Sequence, residues 1–176
     1  MRKLAAFITL PLLLVSAQAE NMPLAFPSAE GAGRHALGRR GGEVYHVTTL
    51  DDDGPGSLRE GLRPPKVPRT IVFALSGTIE LKSPLKLQDV SHITIAGQTA
   101  PGDGITLKDW GLQMKHASHI VIRYLRFRLG DENKTGTGPD VLSIDDCDHI
   151  ILDHISASWG IDGIQDTRRC SNYTLQ

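Results

Sequence analysis

The chain has 176 residues, a formal net charge of −1 and 40% hydrophobic residues. These values suit one soluble domain, and they argue against a nucleic-acid partner because no basic face stands out. Eighteen glycines and ten prolines against 5% aromatic residues favour many turns and short strands over long helices.

The first nineteen residues have the pattern of a secretory signal peptide. A basic start is followed by the apolar run 4–15 and by the A-x-A cleavage sequence Ala17-Gln18-Ala19. The run is shorter than the roughly 20 residues that a membrane span needs, so we expect a cleaved signal and no membrane anchor. The sequence thus predicts a signal peptide over 1–19, a domain over 20–176, and secretion to the extracellular space or the periplasm.

Short strands and tight turns follow. V-Y-H-V-T at 44–48 alternates like a strand, and 57–62 predicts a short helical turn. Further strands are predicted at 70–75 and 78–81. No stretch has sustained helical periodicity.

One pattern then recurs along the chain. His92, His119, His149 and Asn172 each begin an apolar run such as H-I-T-I. Recurrence at roughly 20–30 residues, with strands and turns inside each unit, indicates a solenoid. A β-sandwich is the competing fold, but it would show hairpin turns rather than repeated starts. We therefore predict an all-β chain that forms a parallel β-helix.

Three aspartates are candidates for a metal site. Asp162 and Asp166 enclose a glycine that permits a tight turn, and Asp140 lies about one coil earlier. If the coils stack, the three carboxylates could converge on one face. Carboxylates without nearby His or Cys favour Ca²⁺ over Zn²⁺, but aspartates also commonly cap turns, and the spacing alone leaves both interpretations open.

The motifs A-F-P-S-A-E-G-A-G-R at 25–34, G-P-G-S-L-R at 54–59, A-G-Q-T-A-P-G-D-G-I at 96–105 and I-L-D-H at 151–154 resemble the secreted pectate lyases. The resemblance covers nearly the whole chain after the signal peptide. It implies a right-handed, single-stranded parallel β-helix and a calcium-dependent polysaccharide lyase that cleaves pectate or polygalacturonate by β-elimination.

The resemblance also implies roles for particular residues. Asp140, Asp162 and Asp166 occupy the positions of calcium ligands. Asp153 and His154 match a W-I-D-H motif, where the aspartate is a further ligand or, more in keeping with the motif, a structural partner of a neighbouring turn.

The catalytic base implied by the family is an arginine on a later coil, expected beyond Gln176. Arg168 and Arg169 are candidates for contact with a substrate carboxylate; the alternative for both is a solvated turn. The chain stops within a strand without a polar cap, so we expect it to be the N-terminal portion of the β-helix domain and inactive alone.

Cys147 and Cys170 each stand two residues before a matching strand start. The register predicts that they stack in successive coils, at a separation that a disulfide tolerates. An oxidising compartment permits that bond, and a reduced stack is the alternative.

Two other functions remain open. A polygalacturonase-like hydrolase would use an acid and base pair such as Asp145 and Asp146, although adjacent strand residues should point to opposite faces. A non-catalytic β-helix could bind cell-wall polysaccharide. In each case the expected partner is a polyuronate, with no nucleic acid or membrane, and the expected state is a monomer.

Overall fold

The computed structural model describes residues 22–132 and 138–176. Within these ranges the chain forms one helical turn, α1 (Leu58–Gly61), two 3-10 turns (Ala32–His35 and Gly97–Thr99) and short strands. The strands are β1 (Glu43–Val47), β2 (Arg69–Phe73), β3 (Gly77–Glu80), β4 (Leu85–Gln88), β5 (Ser91–Ala96), β6 (Ile105–Lys108), β7 (Leu112–Lys115), β8 (Ser118–Arg123), β9 (Leu125–Arg128), β10 (Leu142–Asp145), β11 (Asp148–Asp153), β12 (Ser156–Ser158), β13 (Gln165–Arg168) and β14 (Ser171–Leu175). The predicted strands and the predicted helical turn are all present.

The strands form three parallel sheets. Sheet A has the order β1-β2-β5-β8-β11-β14, sheet B the order β12-β9-β6-β3, and sheet C the order β13-β10-β7-β4. From β4 onward the chain visits sheets C, A and B in turn, so one circuit is one coil of a solenoid. The predicted parallel β-helix is confirmed. A sandwich is excluded for the described ranges, where the paired strands run parallel.

Identical or similar side chains stack inside the coil. Ile93, Ile120 and Ile150 share one register position of sheet A and are fully buried. Sheet C has the equivalent buried ladder Leu85, Leu112 and Leu142. Burying one such side chain contributes about 1.5–3 kcal/mol, so these ladders are the main source of stability along the solenoid.

The repeated histidines have a backbone reason. His92, His119 and His149 have φ angles of 59°, 54° and 52°, and Asn172 at the matching position has 47°. Histidine and asparagine are enriched in this left-handed region among non-glycine residues. Successive imidazole rings lie with centroids 4.8 and 4.7 Å apart and interplanar angles of 34°, so these histidines form a structural column along sheet A.

The segment before β1 covers the outer face of sheet A. The backbone N–H of Gly33 donates to Thr174 Oγ1 (2.8 Å), that of Leu37 to His119 Nδ1 (3.3 Å), and that of Arg39 to Thr94 Oγ1 (2.9 Å). A Cβ on Gly33 would lie 2.2 Å from a backbone oxygen of β11, so only glycine permits this close approach. Sheet A is therefore closed to ligands along this segment.

Cys147 and Cys170 are neighbours in the stack, as predicted. The residues that follow them pair across β11 and β14, and the Ser171 N–H donates to the Cys147 carbonyl at 3.0 Å. Both thiols are free in this structure, so a disulfide between them stays a prediction.

The predicted signal peptide, residues 1–19, lies outside the described residues. Over 22–132 and 138–176, no helix combines the length and the apolar character needed to cross a membrane.

Thiol labelling tests the state of the two cysteines. Burial raises the pKa of the Cys147 thiol to about 11, so little thiolate is present to react. If both thiols are reduced, we expect iodoacetamide to label Cys170 in the native protein and both cysteines after denaturation. Absence of labelling after denaturation without reductant would instead establish the disulfide.

A substitution in the histidine stack tests its acid sensitivity. The pKa of His119 is lowered by burial and then by the neighbouring His149 and His92. The folded state thus binds this proton more weakly than the unfolded chain, so its stability falls as the pH decreases through the unfolded-state value of about 6.5. We expect His119→Asn to lose less stability than the wild type between pH 7.5 and 5.5 in denaturant titrations.

Asparagine is the matched replacement because Asn172 occupies the equivalent position in the next coil. His119→Ala removes the same titrating group but should cost about 1–2 kcal/mol at both pH values, because alanine disfavours the left-handed conformation. Equal acid losses in the wild type and in His119→Asn would contradict the assignment.

Candidate functional site

The outer face of sheet C carries two polar columns. Lys86, Gln113, Ser143 and Asp166 form one column by register, and Gln88, Lys115, Asp145 and Arg168 form the other. The alternate residues of β4, β7 and β10 are buried leucine, methionine and isoleucine, which aim these columns at solvent. A small groove of about 170 Å³ runs over them from Lys86 to Arg168.

The three predicted metal ligands lie at one end of this face. Asp140 precedes β10, Asp162 precedes β13, and Asp166 lies within β13. Leu142 pairs with Gln165, and the Val141 N–H donates to the Gly163 carbonyl at 3.2 Å. Asp140 is therefore level with Gly163 rather than with Asp162, and the two other carboxylates flank it.

The charges of this group are incompletely balanced. The pKa of Asp140 is raised by burial and then by the charges of Asp162 and Asp166, whereas Arg168 acts in the opposite direction. Arg168 Nε lies 3.2 Å from Asp166 Oδ2, with both side chains substantially exposed. Repulsion between carboxylates is a cost that a bound cation would remove.

Gly163 leaves space beside the Asp140 carboxylate. A Cβ at this position would lie 2.6 Å from Asp140 Oδ1, so a larger residue would force that side chain to move. The carboxylate oxygens supply the hard donors that Ca²⁺ prefers. Within 22–132 and 138–176, however, no three acidic, histidine or cysteine side chains are gathered closely enough to hold a metal ion.

Arg169 binds two carboxylates of the preceding coil. Its guanidinium lies 2.6 Å from Asp145 Oδ2 and 2.7 Å from Asp146 Oδ1. The expectation that Asp145 and Asp146 point to opposite faces is therefore wrong. Asp146 has a φ of 51°, which turns the chain at the corner and brings both carboxylates to the same arginine.

Sequence reasoning missed a column at this corner in which acidic residues alternate with histidine and arginine. Asp89, His116, Asp146 and Arg169 occupy equivalent left-handed positions in successive coils. His116 lies 3.1 Å from Asp89 and 3.6 Å from Asp146. The Arg169 guanidinium lowers the pKa of Asp146. The signal was available in the sequence, because each of these residues stands three positions before a member of the His92, His119, His149 and Asn172 series.

Asp153 and His154 lie away from sheet C. Asp153 is fully buried at the end of β11, where it accepts from Arg123 Nε at 2.5 Å and contacts His154 Nδ1 at 2.7 Å. The Arg123 guanidinium also lies over the Phe26 ring, 3.7 Å from its centroid. The partner of Asp153 is thus Arg123 on β8 rather than a neighbouring turn, and Arg123 in turn contacts the segment before β1.

Comparison with known proteins identifies relatives of this chain. The chain is 42% identical over 154 residues to the probable pectate lyase C of Emericella nidulans, covering 88% of this chain and 35% of that protein. It is 43% identical over 157 residues to the probable pectate lyase C of Aspergillus terreus, covering 87% and 35%. The probable pectate lyase 4 of Arabidopsis thaliana is 30% identical over 142 residues, covering 78% and 37%.

A solved structure shares the fold. The crystal structure of jun a 1, the major allergen from cedar pollen, superposes with a TM-score of 0.70 at 26% identity, over 82% of this chain and 46% of that chain. No family model matches the chain. The chain spans about a third of the length of the curated relatives that it matches.

The coupling among the three carboxylates is open to direct measurement. We expect Asp162→Asn to lower the pKa of Asp140, because the substitution removes one of the charges that raises it. Carboxyl chemical shifts in metal-free buffer would follow the titration of Asp140. Asp103→Asn is a change of the same kind in an exposed turn of another corner, and it should leave the pKa of Asp140 unchanged. Equal effects of both substitutions on this pKa would contradict the proximity of Asp140 and Asp162.

Proposed function

We propose that this chain, which is homologous to the pectate lyases over most of its length, carries part of the active face of a secreted polysaccharide lyase. The substrate is a polyuronate such as pectate, and the reaction is β-elimination. The observation that carries the proposal is the position of three carboxylates, Asp140, Asp162 and Asp166, beside the basic outer face of sheet C.

That face has the chemistry to bind a chain of uronate units. Lys86, Lys115 and Arg168 lie on three different strands of sheet C and present cationic groups along the groove. Gln88 and Gln113 lie between them and can bond hydroxyl groups. A polyanion laid across the strands would meet a cation on β4, β7 and β13, whereas β10 presents Ser143 and Asp145.

Asp140, Asp162 and Asp166 are the residues that would hold Ca²⁺ at the end of this groove, and their side chains would have to draw together around the ion. Their oxygen donors and their mutual repulsion suit a divalent cation, and Gly163 keeps the Asp140 carboxylate accessible. When bound, calcium would neutralise the charge of a uronate carboxylate and so make the proton at the adjacent carbon more acidic.

The residues of this chain act chiefly by positioning the substrate. Lys115 and Arg168 would hold the carboxylates of the units next to the cleaved bond, and the three aspartates would fix the reacting unit through the cation. A base then removes the C5 proton, the bond to the O4 leaving group breaks, and a C4–C5 double bond forms. We assign no described residue as that base.

The hydrolase alternative is disfavoured by one observation. Asp145 and Asp146 are both bound to the Arg169 guanidinium, so neither carboxylate is free to carry a proton to a leaving group. A non-catalytic binder would use the same basic face, and activity measurements distinguish it from a lyase.

The calcium site is tested by titration calorimetry. We expect Asp162→Asn and Asp166→Asn each to weaken Ca²⁺ binding by about tenfold or more, because the affinity of an oxygen-ligated calcium site depends on the number of charged ligands. Binding should also weaken as the pH falls. Because the pKa of Asp140 is raised, this loss of binding should begin at a higher pH than at a site of ordinary aspartates. Asp103→Asn is the matched control, and unchanged affinity in both site variants would refute the ligand assignment.

The reaction class is tested by the product. Elimination by the secreted protein should give an unsaturated uronate that absorbs in the ultraviolet, and a chelator should abolish its formation. Reducing ends without that absorbance would establish hydrolysis, and binding without either product would establish a non-catalytic module.

A further inference from the structure

A second pocket lies on the side of the solenoid away from sheet C. It has a volume of about 370 Å³, in the range of known ligand pockets. The turn 97–104 forms one wall, and Tyr124, Arg126 and His154 form the other. Because each coil has three sheets, this corner between sheets A and B is opposite the proposed active face.

Tyr124 and His154 form an aromatic wall. Their rings stack with centroids 4.4 Å apart and an interplanar angle of 16°. His154 Nδ1 contacts the buried Asp153 carboxylate at 2.7 Å, which fixes the orientation of the imidazole. Both rings nevertheless keep substantial exposure to solvent.

The ring stack ends at a glycine. Arg123 pairs with Ala96 in the preceding coil and with Asp153 in the following coil. Gly97, Tyr124 and His154 are therefore successive members of one column, and the position before Tyr124 carries no ring. A Cβ on Gly97 would lie 2.3 Å from the Tyr124 carbonyl oxygen, so position 97 cannot carry a side chain and contributes no ring to the column.

Arg126 supplies a cation next to that space. Its Nε donates to Thr106 Oγ1 at 3.0 Å, and its NH1 would lie 3.7 Å from a Cβ on Gly104 in the pocket wall. Among the residues that the structure describes, no carboxylate lies within ion-pairing distance of Arg126. Its remaining N–H donors are thus available to an anionic group, for which guanidinium is well suited.

We propose that this pocket is an accessory binding site for one acidic unit of a saccharide chain. The sugar ring takes the place of the missing ring beside Tyr124, the Gln98 amide bonds hydroxyl groups, and Arg126 binds the carboxylate. Asp103 also lines the pocket, and its charge disfavours a second carboxylate at the same position. The site is thus suited to one uronate unit and takes no part in cleavage.

The inference concerns binding alone and is independent of the proposed lyase activity. The probe is trigalacturonate, titrated into the purified protein by calorimetry in the presence of EDTA, which eliminates binding through calcium. We expect saturable binding that Arg126→Gln weakens by about tenfold or more, since a charge-assisted bond is lost. Tyr124→Asn, which retains a residue compatible with the left-handed φ of 56°, should weaken it too.

The chain offers a matched control for Arg126. Arg128 lies two residues later on β9, and its guanidinium is bound to Ser156 of the next coil. Arg128→Gln should leave the affinity within about twofold, since it removes a charge of the same strand without touching the pocket.

Any one of four results would overturn the proposal. Three of them are absence of saturable binding in EDTA, equal weakening by Arg126→Gln and Arg128→Gln, and equal affinity for a neutral trisaccharide. Full displacement by an equal concentration of inorganic phosphate would also overturn it, by revealing a general anion site. Circular dichroism of each variant establishes that it is folded, and failure of lyase activity alone would not bear on the result.

Discussion

Parallel pairing in register is the interaction on which the rest of this structure depends. Strands in successive coils lie about 4.8 Å apart, so each side chain meets the residue at the same position in the coils before and after it. Inside the solenoid this constraint produces ladders such as Ile93, Ile120 and Ile150. A slip in register would place polar residues between the apolar residues of such a ladder. The register is therefore strongly specified.

The same constraint governs charge on the outside. Like charges stacked at this distance repel. The corner column avoids stacked carboxylates, because His116 separates Asp89 from Asp146 and Arg169 follows Asp146. Asp140, Asp162 and Asp166 are not arranged in that way, and burial and mutual repulsion raise the pKa of Asp140. This repulsion is a cost to the folded protein, and the proposed cation would offset it.

The sequence predicts much of the fold because the repeat is local. The recurring histidines mark the strand starts of sheet A, and the apolar runs after them mark the ladders. It predicts the site less well, because function depends on register across coils. The spacing suggests that Asp140 faces Asp162, but the pairing of Leu142 with Gln165 places Gly163 level with Asp140.

Left-handed corners account for the remaining failures of sequence reasoning. Alternation along a strand predicts that Asp145 and Asp146 point apart, but the left-handed Asp146 ends the alternation. The same effect hides the column that contains Tyr124 and His154. Their sequence neighbours suggest strand positions, whereas their positive φ angles turn both rings onto the outside of the corner. A series of aspartate, histidine and asparagine residues at regular offsets is the sequence signal from which such corners could be predicted.

The outer surfaces of the solenoid differ in whether another segment covers them. Sheet A is covered by the segment before β1, which approaches so closely that Gly33 cannot carry a side chain. Sheet C is open and carries basic, amide, hydroxyl and acidic side chains in two columns. The corner between sheets A and B is open for a different reason, because Gly97 interrupts a column of rings. Each open surface is built from its own columns, and the packed interior separates the two surfaces. A substitution in a column of one surface should therefore leave the other surface intact. A long polysaccharide could contact both proposed sites without either site depending on the other.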